Sequence, residues 1–121
     1  MAIDPSAPPP HTDYYPLSAN TVGERFPRAD DSAMGVLTPV PDERRDFLHC
    51  ILHGLAVVER DGYAALAELG ASPLRQVLTS GGGAQNPQWT QLRQNMLGVP
   101  TARAKSIDAA YGAALLACQG M

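Results

Sequence analysis

Three consecutive glycines, Gly81, Gly82 and Gly83, constrain this chain more than any other feature. They follow a short β-forming run, Val77 and Leu78, bounded by turn residues. They precede Asn86 and Pro87, an N-cap and the residue whose missing N–H costs nothing at the first helical position. Trp89, Leu92, Arg93 and Met96 then fall on one helical face, and Gly98 stops the helix. The stretch from Gln76 to Gly98 therefore reads as strand, glycine turn and helix. Glycine lets the turn adopt conformations a Cβ forbids, and it leaves no side chain between the backbone and anything that docks there.

A glycine turn entering a helix N-terminus is a common way to hold a nucleotide. Two familiar forms can be tested directly. A Walker A loop needs Gly-x-x-x-x-Gly-Lys-Ser/Thr, and no Lys or Ser/Thr follows these glycines in that pattern. A dinucleotide fingerprint needs Gly-x-Gly-x-x-Gly; Gly81 and Gly83 fit, but Asn86 occupies the third glycine position. What remains is a flat shelf flanked by an amide and an indole. Asn86 and Trp89 are three apart and share a helix face. The amide offers a donor and an acceptor to a base edge, and the indole a plane for stacking. That pairing suits adenine better than phosphate. The residues alone equally allow Asn86 only to cap the helix and Trp89 only to pack.

Three blocks in fixed order carry a resemblance. They are Thr79-Ser80-Gly81-Gly82-Gly83-Ala84-x-Asn86-Pro87-x-Trp89, Leu97-Gly98-Val99-Pro100, and Ala109-Ala110-Tyr111-Gly112-Ala113-Ala114-Leu115-Leu116-Ala117. Together they resemble the C-terminal part of FGGY-family carbohydrate kinases. Tyr14-Tyr15-Pro16-Leu17 and Gly23-Glu24-Arg25-Phe26-Pro27 look like the branch similar to ribulose and xylulose kinases. The resemblance implies an α/β fold, a partial actin-like (ribonuclease H-like) ATPase domain with helices packed on a short incomplete sheet. It implies ATP as the nucleotide, with Mg2+ in the complete kinase. It also implies that Gly82, Gly83, Asn86 and Trp89 line the adenosine side of the ATP pocket. Gly81, Ala84 and Gln85 belong to the same turn and are less certain contacts.

Along the rest of the chain, residues 1–12 are Pro- and Ser-rich and are expected to form a flexible N-terminal connector, with 13–121 the C-terminal portion of a kinase second domain. Residues 13–41 are expected to be irregular, since Pro16, Gly23, Pro27, Gly35, Pro39 and Pro41 interrupt them. A helix should start near Asp42, present Phe47, Ile51, Leu55 and Val58 on one face that Leu48, Leu52, Ala56 and Val57 widen, so that much of it is buried, and be interrupted at Asp61-Gly62. His49 and His53 have a metal-compatible spacing without a third ligand nearby, which favours structural histidines. Residues 99–104 read as a second strand, and Ser106 is expected to cap a final, small-sided helix with Asp108 in its first turn. Cys50 and Cys118 read as buried, reduced thiols.

A hydrophobic content of 45% indicates a globular chain, and a net charge of -3 gives no basic footprint for nucleic acid. No apolar run is long enough to span a bilayer and no signal peptide is visible, so a cytoplasmic location is expected.

Phosphoryl transfer to a sugar hydroxyl needs a held nucleotide, a metal-bridged phosphate tail and a positioned base. The resemblance supplies the first alone, and no residue here matches the family's catalytic Asp. The expected function is thus a fragment of an ATP-dependent ketose kinase, a pentulose kinase by its branch. It would carry the adenosine-binding turn without catalytic base or sugar site, and would be inactive in isolation. Its partners would be an adenine nucleotide, a missing N-terminal kinase portion or a second copy, and a sugar only in the complete kinase. The alternatives are a subunit of a split kinase, with Met1 a true start, and a non-catalytic remnant.

Overall fold

The computed structural model describes residues 3–18, 20–106 and 108–120. Its elements run β1 (Asp13–Tyr15), β2 (Val22–Glu24), β3 (Asp30–Met34), β4 (Val36–Thr38), α1 (Arg44–Glu68), β5 (Val77–Thr79), α2 (Pro87–Leu97), β6 (Thr101–Arg103) and α3 (Ala109–Gln119). The fold is mixed α/β, with three two-stranded sheets and three helices among the described residues.

The segment expected to be irregular holds four short strands. β1 pairs antiparallel with β4, Asp13 opposite Thr38, and β2 pairs antiparallel with β3. Pro16, Pro27 and Gly35 fall between these strands and Pro39 directly follows β4, so they limit strand length rather than abolish pairing. Gly23 sits at the register shift in β2, the usual place for a glycine with positive φ.

α1 is one helix of 25 residues and does not break at Asp61-Gly62. Gly62 is buried beneath Phe26, whose Cε1 lies 3.1 Å from where a Cβ would stand. That packing outweighs the roughly 1 kcal/mol helix penalty of one glycine. The buried side of α1 also differs from the expected stripe. Ala56 is buried as expected, but so are His49, Cys50, Gly54 and Gly62, whereas Leu48 and Leu55 are exposed. Small residues let neighbours approach closely: the Tyr14 ring occupies the space a side chain at Gly54 would need.

The core forms where α1 crosses α2. Ile3, Ala56 and Leu92 are buried there, with Leu52, Trp89 and Met96 packed around them. Ile3 reaches this cluster from the N-terminal segment, whose first two residues lie outside the described ones. The Ile3 N–H donates to Gln88 Oε1 at 3.4 Å, and Asn95 Nδ2 donates to the Pro5 carbonyl at 3.1 Å.

β5 and β6 form a parallel pair with Val77 opposite Thr101 and Thr79 opposite Arg103. No other described strand pairs with either, and Leu78 is 60% exposed. α3 begins at a cap supplied by Asp108, which accepts from the Ala110 N–H at 2.9 Å, rather than by Ser106. The shorter reach wins: Ser106 Oγ only accepts from the Asp108 N–H at 3.5 Å. α3 buries none of its residues, and Tyr111, Leu115 and Leu116 face outward. Cys118 is consequently exposed, against expectation, while Cys50 is buried; both are free thiols. No helix among the described residues is long and apolar enough to cross a membrane.

Candidate functional site

The strand, turn and helix sequence expected from the glycine run is present. Thr79 ends β5, and Gly81 then takes φ 86°, ψ -177°, a region open essentially to glycine alone. A 3-10 turn follows over Gly82–Gln85, closed by Ala84 N–H to Gly81 O and Asn86 N–H to Gly83 O, both 3.2 Å. The Ala84 methyl is buried and anchors the turn, while Gly81, Gly82, Gly83, Gln85 and Asn86 are exposed.

The three glycines are not equivalent. Gly81 is required by its dihedral angles. A Cβ on Gly82 would meet nothing within 4 Å, and one on Gly83 would meet only Trp89 Cδ1 and Nε1 at 3.5 Å, an ordinary contact. Neither position needs a glycine for the chain's own packing. A side chain at Gly82 would project into open space, whereas one at Gly83 would point at the Trp89 ring.

Asn86 is the N-cap of α2, as expected. Its Oδ1 accepts from the N–H groups of Gln88 at 3.0 Å and Trp89 at 3.1 Å. Because both donors require an oxygen, the amide orientation is fixed. Nδ2 is left without a protein acceptor among the described residues. Pro87 has no N–H, and the Thr90 N–H donates to Asn86 O at 3.1 Å. The first turn of α2 therefore has its donors occupied, and that helix end is not a phosphate cradle of the usual kind. Free donors of the turn lie instead at the start of the 3-10 segment, Gly82 and Gly83, which have no intrahelical partner by geometry.

Trp89 is half-buried and lies beneath the turn, with its ring against the Gly83 backbone and the core cluster. Gly82, Gly83, Asn86 and Trp89 thus form one contiguous patch. In it Trp89 is a floor under the glycines rather than a freestanding plane beside Asn86.

Beneath the patch sits a network that the sequence reading did not reach. Arg93 is buried, and its Nε and Nη2 donate to Glu59 Oε2 and Oε1 at 2.8 and 2.6 Å. Its Nη1 donates to Thr79 Oγ1 at 2.5 Å. The guanidinium also lies 5.5 Å from the Trp89 ring centroid, within cation–π range. One side chain thereby joins α1, α2 and the end of β5. The Glu59 hydrogen bonds raise the Arg93 pKa further above its ordinary value, despite burial acting the other way. The available signal was an arginine on an otherwise apolar helix face, which requires a buried acid somewhere in the fold.

Of the two histidines, His49 is buried and His53 is partly buried. The His49 Nε2 is without a partner among the described residues. Burial, then His49 and Arg60, holds His53 below the usual histidine range. Among the described residues no group of three or more His, Cys, Asp or Glu is placed to hold a metal ion.

The family model for the FGGY family of carbohydrate kinases, C-terminal domain, matches residues 1–121. The chain belongs to the FGGY family of carbohydrate kinases. Its match extends through the N-terminal segment that contributes Ile3 to the core. The chain is 32% identical over 102 residues to a xylulose kinase of Bacillus subtilis (strain 168), covering 82% of this chain and 20% of that protein. It is 31% identical over 74 residues to a rhamnulokinase of Bacteroides thetaiotaomicron, covering 61% of this chain and 15% of that protein. The chain thus spans a fifth or less of the length of these curated relatives.

Proposed function

We propose that this chain forms the adenosine-facing part of an ATP-dependent carbohydrate kinase, with Gly82, Gly83, Asn86 and Trp89 lining the nucleotide. The observation that carries this is the bareness of Gly82, whose missing side chain leaves open space on an exposed turn beside Gly83. The chain's own packing would accept a methyl group at either position. An unforced pair of glycines on an exposed turn is what close approach of a flat ligand demands. The satisfied first turn of α2 favours the base or ribose over the phosphates at this point. The free Asn86 Nδ2 offers a donor to a ring nitrogen, and the N–H groups of Gly82 and Gly83 offer donors to the ribose.

Under this proposal the chain is a portion of an actin-like kinase domain, and the β5–β6 pair belongs to a larger sheet. The exposed α3 and Leu78 support that reading, because apolar surface of this kind is normally covered. ATP, Mg2+, the sugar and the catalytic base would meet in the complete kinase. A ketose acceptor, and a pentulose in particular, is supported by the likeness to a protein named xylulose kinase. The chain alone would bind adenine nucleotide without transferring phosphate.

The test is a Gly82→Val variant titrated with ADP by calorimetry beside the wild-type chain. The valine has open space, so the fold should persist, while ADP binding should weaken by more than tenfold. Equal affinities in the two proteins would sink the assignment of the shelf.

A further inference from the structure

The adenosine shelf is suspended between two anchors, the end of β5 at Thr79 and the start of α2 at Asn86. Six residues, 80 to 85, bridge them, and the exposed glycines among them have no side chains with which to hold a shape. The spacing and orientation of the anchors therefore decide the form of the turn. β5 is only three residues long and has one described partner strand, so its ladder alone holds it weakly.

We infer that Arg93 is a positioning residue for the shelf, locking the end of β5 to α2 through Thr79 while Glu59 of α1 holds the guanidinium in place. The geometry suits this role and no simpler one. A salt bridge to Glu59 would need only one edge of the guanidinium, and that edge is used fully by the two Glu59 oxygens. The remaining Nη1 is directed to the Thr79 hydroxyl, at the last residue of the strand before the turn. The planar fork is what permits this: Lys carries a point charge and cannot bridge a carboxylate and a hydroxyl in fixed directions. The same guanidinium lies over the Trp89 ring, which floors the shelf under Gly83. Strand end, helix and indole floor are thus indexed to one buried cation. Burial of both side chains, 8% exposed for Arg93 and 24% for Glu59, keeps water from competing for these bonds.

The consequence for binding rests on the reading of the turn as a nucleotide shelf; the positioning itself does not. The two are separated by testing Thr79→Val, which deletes the hydroxyl, keeps the shape and preserves a β-branched strand residue. Amide hydrogen exchange is read at Ala84, Asn86, Gln88 and Trp89, whose N–H groups are bonded within the turn and cap. Exchange at these sites should speed by about tenfold relative to amides in the middle of α1, and Thr79→Ser should restore it. Wild-type exchange in Thr79→Val would overturn the positioning role whatever the nucleotide does. Glu59→Gln, which loosens Arg93 from the opposite side, should give the same local loosening if Thr79→Val does not fold, and wild-type exchange there would overturn it equally. In parallel, ADP is titrated into each variant. Affinity lowered three- to tenfold by Thr79→Val and restored by Thr79→Ser supports the link to binding. A loosened turn with unchanged ADP affinity overturns that link, and absence of ADP binding by wild-type protein overturns the shelf reading while leaving the exchange result to decide the positioning.

Discussion

Replacing Arg93 by Met should be one of the most damaging single changes in this chain, and most of the damage should come from what it leaves behind. Met keeps much of the side-chain volume, so the cavity term is small. What it strands is the Glu59 carboxylate, which loses two short charge-assisted hydrogen bonds. Breaking a fully buried pair from one side costs about 3–5 kcal/mol. The Glu59 side chain keeps 24% of its exposure and can turn partly to water, which lowers the expected cost to about 2–3 kcal/mol. The partner change Glu59→Leu should cost a similar amount, because it strands the guanidinium. The double variant Arg93→Met/Glu59→Leu strands neither group. It should recover most of the loss and fall within about 1 kcal/mol of the wild type. Urea denaturation of the four proteins closes the cycle, with a coupling of at least about 3 kcal/mol expected. Additive single effects would refute the reasoning, since they would mean that each side chain contributes through its own packing.

Other consequences of the structure are equally open to measurement. Gly81→Ala should destabilise by about 1–3 kcal/mol, because its dihedral angles are closed to other residues, whereas Gly82→Ala should change stability by less than about 0.5 kcal/mol; paired thermal melts decide this. Asn86→Ala removes the acceptor for the Gln88 and Trp89 N–H groups and should cost about 1 kcal/mol, visible as a lower urea midpoint. The folded-state pKa of His53 lies below its unfolded value, so the folded chain binds fewer protons there. Its contribution is complete above about pH 6.5 and is lost as the pH falls through the lowered folded value, so the urea midpoint should drop between pH 7.5 and pH 5.5 and drop less in His53→Gln. Leu116→Ala on the uncovered α3 should leave the unfolding free energy from urea titration within about 0.5 kcal/mol of wild type, unlike Leu92→Ala in the core, which should cost about 2–5 kcal/mol.

The parts of the fold legible in the sequence were those with local causes. Asn86-Pro87 and Gly98 specify the two ends of α2 through capping geometry that needs no distant partner. A second strand over residues 99–104 was legible after the Gly98 stop, and β6 lies within it; its parallel pairing with β5 is a finding of the structure. What was not legible depends on residues far apart in the chain. Gly62 reads as a break until Phe26 is known to cover it, and Gly54 reads as neutral until Tyr14 occupies its empty side. The four short strands hid among prolines and glycines because strands of three to five residues carry too few alternating positions to show a period. At the site, the strand, turn and helix were legible from the glycine run and its flanks. The difference between an obligatory Gly81 and an unforced Gly82 and Gly83 was not, since it depends on backbone angles and neighbours. Arg93 announced a buried partner without naming it, because Glu59 lies 34 residues away on another helix.

The central claim is that this chain holds an adenine nucleotide over its glycine turn. Trp89 is the single tryptophan, so its emission reports from beneath that turn without interference. Titration of the purified chain with ADP should change Trp89 fluorescence in a saturable way, and the change should disappear in Gly82→Val while the far-ultraviolet circular dichroism stays the same. A folded chain whose Trp89 emission is unmoved by ADP, or moved identically in both proteins, would contradict it.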